Sequence, residues 1–386
     1  MNHLLTLNAG SSSIKFALFA ADGDLATPVE AGQIEGLSNT AGAATHAQAL
    51  DEVLARIGQR TVAAVGHRIV HGGTQFDRPV QIDDAVIAAI AGLQSLAPLH
   101  QPHNLAGVLA ARQRFAGVPQ VACFDTAFHR SNPELNQRFA LPQRLFDRGV
   151  RRYGFHGLSY ESIIDQLRTL DADAAAGRVV VAHLGNGASM CAMQGGQSVA
   201  TTMSFSPLDG LPMGTRCGRI DAAVVLHLWQ QWGMDADQIS QLLYRESGLL
   251  GLSGISADMR TLQASTAPAA AMAVDYFVEH LLRELAAMVA ALRGIDALVF
   301  TGGIGENAAG LRERVVAGAA WMGLQLDAAA NAQGQGRISA TGSGVAIHLL
   351  RTNEEAVIAR HTAQRLAAGA GLSPSFRTGS PRDFAA

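Results

Sequence analysis

The 386-residue chain lacks several features that would mark particular classes of protein. Its three cysteines, Cys123, Cys191 and Cys217, are too few and too widely spaced for a disulfide framework or a cysteine-based zinc site. It has no basic run of the nucleic-acid-binding type, and its net charge of −3 argues against a nucleic-acid partner. These absences leave a protein whose function depends on neither a disulfide framework nor a nucleic acid.

Segments for membrane insertion or secretion are also missing. The longest apolar helix candidate, Ala269–Leu292, contains four charged residues, so it predicts a core helix and not a membrane span. The N-terminus has no basic segment, and its apolar start is interrupted at Asn8, which argues against a signal peptide. We therefore expect a soluble cytoplasmic protein without a membrane partner.

The chain does contain one local pattern twice. An apolar strand, a turn rich in Gly, Asn and Ser, and a second apolar strand occur at 4–19 and again at 178–193. Glycine lets backbone N–H groups approach an anion closely, because no Cβ intervenes. The pairing of two such hairpins, with Lys15 in the first, predicts a duplicated domain that holds a nucleotide between its copies.

The order of the remaining elements favours an α/β protein of about two domains. We expect a strand at Val62–Val65, a turn at Gly66–Arg68, a long helix after Pro268 that stops at Gly294, and a last helix over Asn353–Leu366. A third Gly-rich segment at 301–307 follows a buried strand and precedes a helix, which places backbone N–H groups where a nucleotide can bind. That segment is neither a P-loop nor a Gly-x-Gly-x-x-Gly fingerprint.

Several charged residues lie in loops or near strand ends, where ligands bind in α/β sheets. Arg68 and Asp125 are expected just past strand ends, and Arg216 lies in a Gly-rich loop before a helix. A second Gly-flanked loop, 151–157, contains two arginines and His156. These residues are the candidates for catalysis.

Nine segments together give the chain a clear resemblance to the acetate kinase family of short-chain acyl kinases. They occur in the family's order, and they are Asn8–Lys15, Gly66–Gly73, Leu96–His100, Phe124–His129, Arg151–Gly157, His183–Gly187, Met213–Gly218, Phe300–Asn307 and Thr352–Glu355. The resemblance implies a duplicated actin-like, sugar-kinase-like (ribonuclease H-like) α/β fold with an active-site cleft between the domains. It also implies a homodimer and reversible phosphoryl transfer from ATP to acetate, which gives acetyl phosphate and ADP.

The expected N-terminal domain comprises residues 1–126 and a C-terminal helix at about 357–368. The expected C-terminal domain comprises 127–356 and includes nucleotide-binding and dimer contacts. Composition predicts a loose tail at 369–386.

The resemblance also implies roles for individual residues. Arg68 would bind the substrate carboxylate, Asp125 would orient Arg216, and Arg216 and His156 would bind the transferring phosphoryl group. The implied pocket for the methyl group consists of Val70, Leu99, Phe155 and Pro207. Mg²⁺ or Mn²⁺ would be held by Asn8 and Glu354. The residues expected to contact ATP or ADP are Lys15, Ser11, Ser13, His183, Leu184, Gly185, Asn186, Gly187, Asp258, Met259, Arg260, Gly303, Ile304, Gly305, Glu306 and Asn307.

Two questions stay open from the sequence. Propionate differs from acetate by one methylene, worth about 1–3 kcal/mol of discrimination, so a propionate kinase on the same scaffold is an alternative. A more remote alternative is a nucleotide-driven chaperone or filament protein with this fold and no acyl substrate. The chain also departs from the family after His156–Gly157, where Leu158–Ser159–Tyr160 replaces the usual Thr-Ser-His.

Overall fold

The computed structural model describes residues 2–10, 13–37 and 45–369. Two six-stranded mixed sheets form its centre, and each is built from one part of the chain. The strands of the first sheet are β1 (Asn2–Ala9), β2 (Ser13–Ala20), β3 (Glu30–Glu35), β4 (Thr61–Ile69), β5 (Val80–Gln81) and β6 (Gln120–Phe124). Those of the second sheet are β7 (Arg178–Leu184), β8 (Ala188–Gln194), β9 (Gln197–Thr201), β10 (Ala297–Thr301), β11 (Gly336–Arg337) and β12 (Ala346–Leu349).

The two sheets have the same topology. Their strand orders are β3-β2-β1-β4-β6-β5 and β9-β8-β7-β10-β12-β11. In each sheet the first three strands are antiparallel, the next two are parallel additions, and the edge strand is antiparallel again. The two predicted hairpins are β1–β2 and β7–β8, which occupy equivalent positions. The expected α/β fold with two similar domains is therefore confirmed.

Sixteen α-helices surround the sheets in the described residues. They are α1 (His46–Ile57), α2 (Asp84–Gly92), α3 (Gln101–Arg114), α4 (Glu134–Gln137), α5 (Gln143–Asp147), α6 (Gly157–Leu170), α7 (Ala172–Ala176), α8 (Ala222–Gln230), α9 (Ala236–Arg245), α10 (Gly248–Ser253), α11 (Met259–Ala264), α12 (Pro268–Leu292), α13 (Gly302–Asn307), α14 (Ala309–Gly318), α15 (Ala328–Gln333) and α16 (Glu354–Gly369). Short 3₁₀ helices occur at Gln94–Leu96, Ala127–Ser131 and Ala320–Met322. Of the helices described, none is long and apolar enough to cross a membrane.

Strand β10 of the second sheet is buried on both faces, which explains its apolar run from Ala297 to Phe300. Leu298 and Phe300 pack in a cluster with residues of α12, including Phe277. The alternate residue Val299 packs with residues of α6, including Ile163. Side chains alternate between the faces of a strand, so a strand covered by helices on both sides needs apolar residues at every position.

The last helix returns to the first sheet. Helix α16 contacts β1, β4 and β6, and its residues Val357 and Ile358 pack in a cluster with Val121 and Cys123 of β6. These contacts are compatible with a C-terminal helix that belongs to the N-terminal domain. The proposed domain boundaries, 1–126 with 357–368 and 127–356, stay a prediction. Of the tail predicted at 369–386, residues 370–386 lie outside the described residues.

One local prediction is wrong. The expected turn at Gly66–Arg68 is part of a continuous strand, because β4 extends from Thr61 to Ile69. A Cβ on Gly66 would collide with the side chains of Thr362 and Ile358 in α16. Gly66 therefore permits close packing of a helix on the sheet, and Arg68 lies within the strand, one residue before its end.

The buried histidines of this fold should make its stability fall with acidification. Burial lowers the pKa of His67 in β4 to about 4, although a hydrogen bond with Gln120 opposes the shift. The unfolded chain then binds protons below pH 6.5 that the folded chain binds only near pH 4. Stability from this group is therefore present at pH 7 and is lost as the pH falls, by about 2 kcal/mol at pH 5.

Urea unfolding at pH 7 and pH 5 measures this effect. His67→Gln keeps a side-chain donor for Gln120 but cannot be protonated, so its free energy of unfolding should depend less on pH than that of the native sequence. Equal pH dependence in both proteins would contradict the assignment to His67.

Candidate active site

Arg68 is the polar centre of the cleft at the end of the first sheet. Its Nε donates to Asp125 Oδ1 at 3.1 Å and its Nη2 to Asp125 Oδ2 at 2.5 Å. Its Nη1 donates to Asn8 Oδ1 at 3.2 Å, and Glu354 Oε2 lies 3.6 Å from Nε. Burial alone would lower the pKa of Arg68, but Asp125 and Glu354 outweigh this and raise it. The guanidinium is therefore held by Asn8 of β1, by Asp125 directly after β6 and by Glu354 of α16.

In this structure Asp125 contacts a different arginine from the one that the resemblance implied. Its carboxylate pairs with Arg68, whereas Arg216 Nη1 donates to the carbonyl oxygen of Pro207 at 2.7 Å. The physical reason is strand register: β4 and β6 are parallel neighbours, and Arg68 pairs with Cys123. Asp125, two residues beyond Cys123, therefore emerges beside Arg68. No Asp125–Arg216 ion pair is present in the part of the chain that the structure describes.

His156 is positioned by an unusual backbone conformation at the start of α6. Its φ is 59°, in the left-handed region that non-glycine residues rarely adopt. A Cβ on the next residue, Gly157, would collide with the carbonyl oxygen of Asp125. His129 is also engaged here, since its Nε2 lies 2.9 Å from the carbonyl oxygen of Phe155. These contacts fix the imidazole of His156 close to the Arg68–Asp125 pair.

Arg216 and His156 meet beside the turn that follows β7. A Cβ built on Gly187 would lie 3.0 Å from Arg216 Nη2 and 3.3 Å from His156 Nε2. The ring of His183 stacks on that of His156 with a centroid distance of 4.3 Å. Gly187 therefore leaves open the space toward which the guanidinium and the imidazole both point.

The histidines of this cluster are neutral near pH 7. Burial, with the nearby charge of Arg68, lowers the pKa of His183 to about 4. Burial, then His183, Arg68 and Arg216, lowers the pKa of His156 well below its usual value. The positive charge of the cleft comes from guanidinium groups and Lys15, and the imidazoles contribute hydrogen bonds.

Lys15 is the only lysine in the chain, beside 28 arginines (29 Lys and Arg in total, minus one). It is exposed on β2, where it pairs in register with Asn8 of β1. Its charge affects the pKa values of His183 and Glu354, so it faces the cleft. Ser13 is partly buried at the start of the same strand, whereas Ser11 lies outside the described residues.

The residues expected to form an apolar pocket are only partly brought together. Val70 and Phe155 are almost fully buried and share one hydrophobic cluster. Pro207 is buried next to Arg216, and Leu99 is half-buried in the segment before α3. Sequence reasoning missed the neighbour of Leu99, His100, whose pKa burial lowers to about 3, assisted by the charges of Arg216 and Arg68. The position of His100 in the Leu96–His100 motif is the sequence signal that could have identified it as a site residue.

A pocket of about 540 Å³ lies next to the cluster around His156, between the β7–β8 turn, α11 and α13. The expected nucleotide residues that line it are Gly185, Asn186, Asp258, Met259, Arg260, Gly303, Ile304 and Asn307. Ala257, Gln263 and Ala308 also line it and were not predicted.

Besides Lys15 and Ser13 on β2, and Ser11 outside the described residues, five expected nucleotide residues are not part of this lining. Leu184 and Gly305 are buried behind it, while His183 and Gly187 belong to the cluster around His156. Glu306 accepts a hydrogen bond from the N–H of Gly302 at 3.1 Å and so caps α13. This segment was expected as a turn before a helix, but it forms a short helix of its own.

Two oxygen-bearing side chains, those of Asn8 and Glu354, both lie next to the guanidinium of Arg68, Asn8 at Nη1 and Glu354 near Nε. Burial raises the pKa of Glu354, although Arg68 opposes the shift. In the described residues no group of three or more His, Cys, Asp or Glu side chains could hold a metal ion alone. Mg²⁺ commonly binds one or two protein oxygens together with phosphate oxygens and water, so this donor set fits it.

Comparison with known proteins gives consistent matches. The profile of the Acetokinase family matches residues 3–360. The acetate kinase of Methylocella silvestris is 50% identical over 390 residues, covering 93% of this chain and 96% of that protein. The acetate kinase of Rhizobium meliloti is 47% identical over 385 residues, covering 94% of this chain and 98% of that protein.

Solved structures agree with these relatives. A propionate kinase from Francisella tularensis superposes with a TM-score of 0.88 at 34% identity, covering 94% of this chain and 100% of that one. An acetate kinase from Porphyromonas gingivalis superposes with a TM-score of 0.85 at 34% identity, covering 95% of this chain and 100% of that one.

Proposed function

The chain belongs to the acetokinase family, and from this premise we propose that it is an acetate kinase. It transfers the γ-phosphoryl group of ATP directly and reversibly to acetate, giving acetyl phosphate and ADP. The observation that carries the proposal is the convergence of Arg216 and neutral His156 on one space beside Gly187, with the charge of Arg68 close enough to lower the pKa of His156. Two guanidinium groups suit an anionic acceptor and a transferring phosphoryl group, and among the described residues Arg216 forms no ion pair with an aspartate or glutamate.

Arg68 is the proposed carboxylate ligand, and it has donors left for this role. A guanidinium carries five N–H groups. Two of these donate to Asp125 and one to Asn8, so one N–H remains on Nη1 and one on Nη2. That remaining pair can bind both oxygens of acetate, and the methyl group would then point toward the apolar residues Val70, Leu99, Phe155 and Pro207.

Arg216 and His156 are the proposed phosphoryl ligands. In direct in-line transfer the protein mainly positions the reactants and neutralises charge on the equatorial oxygens. Arg216 supplies a positive charge, and His156 supplies a hydrogen bond. Asp125 acts in this proposal by holding Arg68.

The nucleotide occupies the 540 Å³ pocket, with its distal phosphates toward Lys15 and Ser13. Asn8 and Glu354 would hold Mg²⁺, with Mn²⁺ as a substitute. The metal would supply charge neutralisation of the phosphate oxygens.

We also propose a homodimer and a cytoplasmic location. Helix α8 and the loop after it expose apolar side chains, with Val224 44%, Leu226 51%, Trp229 59% and Trp232 70% exposed. Such a patch is unusual on a monomer and suits the same face of a second copy. The three cysteines are free thiols, which fits a reducing compartment.

Propionate kinase remains the second candidate, favoured by the superposition with the Francisella tularensis enzyme. Acyl-hydroxamate formation with ATP and Mg²⁺ separates the two when acetate, propionate and butyrate are supplied in turn. We expect the highest kcat/KM with acetate. No acyl-phosphate formation with any of the three acids would reject the proposed function.

The role of Arg216 predicts a large loss of turnover. Arg216→Ala should lower kcat by at least ~10³, the scale of an arginine finger, with a much smaller change in the KM for acetate. Arg283→Ala is the matched control, since Arg283 pairs with Glu279 on the surface of α12. A tenfold or smaller loss for Arg216→Ala would remove this residue from the mechanism.

The single lysine allows a direct test of the phosphate end of the cleft. An amine-selective acylating reagent should modify one lysine side chain, Lys15, and Mg-ATP should slow that modification because its phosphates cover the amine. Intact-mass and peptide spectrometry measure the rate, and Lys15→Arg serves as the control that cannot be modified at a side chain. Equal rates with and without Mg-ATP would place the nucleotide phosphates elsewhere.

The apolar pocket predicts a change of substrate preference. Val70→Ala removes two methyl groups from the pocket, so the ratio of kcat/KM values should shift toward propionate by up to about 1–3 kcal/mol. Arg68→Ala should instead weaken the binding of every acid substrate to the same extent, because all of them share the carboxylate. An unchanged acetate-to-propionate ratio in Val70→Ala would show that Val70 does not contact the alkyl group.

A further inference from the structure

A row of hydrogen-bonded side chains lies behind His156, on the side away from the open space at Gly187. The hydroxyl oxygens of Tyr160 and Ser189 are 2.5 Å apart, and Ser189 Oγ is 2.8 Å from His156 Nδ1. Tyr160 and Ser189 are both fully buried. None of the roles proposed above uses either residue.

The backbone brings these three side chains together from two elements. His156 precedes α6, and Tyr160 follows one turn later, where its N–H donates to the carbonyl oxygen of His156 at 3.0 Å. Ser189 is the second residue of β8 and pairs in register with His183 of β7. The row therefore connects the first turn of α6 to the hairpin that borders the cleft.

The direction of the hydrogen bonds follows from burial. Burial raises the pKa of Tyr160 well above its usual value, so its phenol group keeps its proton. In the described residues Ser189 is the only hydrogen-bond partner of that phenol. A buried O–H without an acceptor costs about 1–3 kcal/mol, so Tyr160 donates to Ser189. Ser189 then donates its own proton to His156 Nδ1.

This direction determines the tautomer of His156. A neutral imidazole that accepts a hydrogen bond at Nδ1 carries its proton on Nε2. Nε2 is the atom that faces the space at Gly187 beside Arg216. A phosphoryl oxygen in that space would meet an N–H donor, whereas the other tautomer would present a lone pair to an anion.

We propose that Tyr160 is a positioning residue that acts through Ser189 to hold His156 as the Nε2–H tautomer, so that the imidazole donates to the transferring phosphoryl group. The assignment of the tautomer depends only on the hydrogen bonds among Tyr160, Ser189 and His156, whereas its effect on catalysis rests on the proposed function.

Histidine NMR tests the tautomer without any activity measurement. In ¹⁵N-histidine-labelled protein, long-range ¹H–¹⁵N correlations distinguish a protonated from an unprotonated ring nitrogen, and His156→Gln assigns the signal. We expect Nε2–H for His156 in the native sequence and a mixture of tautomers in Tyr160→Phe. Tyr153→Phe is the matched control, because the Tyr153 hydroxyl donates instead to the carbonyl oxygen of Gly149 at 2.6 Å. An Nδ1–H signal in the native sequence would overturn the proposal.

Kinetics tests the consequence. Tyr160→Phe and Ser189→Ala should each lower kcat about tenfold, the scale seen when a hydrogen bond that orients a functional histidine is removed. The KM values for acetate and ATP should change less than twofold. The double variant should lose little more than either single variant, because the two hydroxyls act in one row.

If the two losses of kcat multiplied in the double variant, the proposal that Tyr160 acts through Ser189 would be wrong. An unchanged kcat in Tyr160→Phe, with a urea midpoint lowered as in Tyr153→Phe, would show that Tyr160 serves stability alone. If the native protein formed no acyl phosphate, the proposed function would fail, yet the NMR experiment would still decide the tautomer.

Discussion

The pair between Arg68 and Asp125 is the interaction on which the arrangement of the cleft depends. It connects neighbouring parallel strands at their carboxyl ends and brings Asn8 from the hairpin and Glu354 from the last helix to the same guanidinium. Asp125 is almost completely buried, and a buried carboxylate is stable only when a cation and hydrogen bonds compensate for lost hydration. The pair therefore connects four elements, β1, β4, β6 and α16, and leaves two N–H groups of Arg68 for a ligand.

Close backbone approach is the second constraint. Gly66 permits α16 to lie against β4, and Gly157 permits the start of α6 to lie against the carbonyl oxygen of Asp125. Because these helices are close, Glu354 reaches Arg68 and His156 reaches the space beside Gly187. A side chain at Gly66 would push α16 with Glu354 away from Arg68, and one at Gly157 would push His156 away from the space beside Gly187.

Electrostatics determines which side chains of the cleft carry charge and which only form hydrogen bonds. The arginines keep their charge under all ordinary conditions, whereas the buried histidines lose theirs because positive neighbours and low hydration both disfavour the imidazolium. Charge is therefore supplied by Arg68, Arg216 and Lys15. A neutral histidine is useful only when its proton lies on the correct nitrogen, which gives a role to buried hydroxyls such as those of Tyr160 and Ser189.

The sequence by itself determined the architecture and most of the candidate residues. Apolar runs broken by Gly, Asn and Ser predicted both hairpins, and the order of elements predicted an α/β fold, because the alternation of side chains and the stop signals of helices are local properties. Only the tertiary structure decided that Gly66 lies in a strand, that Asp125 pairs with Arg68 instead of Arg216, and that Tyr160 reaches His156 through Ser189. These features depend on strand register and on the approach of segments distant in the chain, and no local pattern of residues encodes such distances.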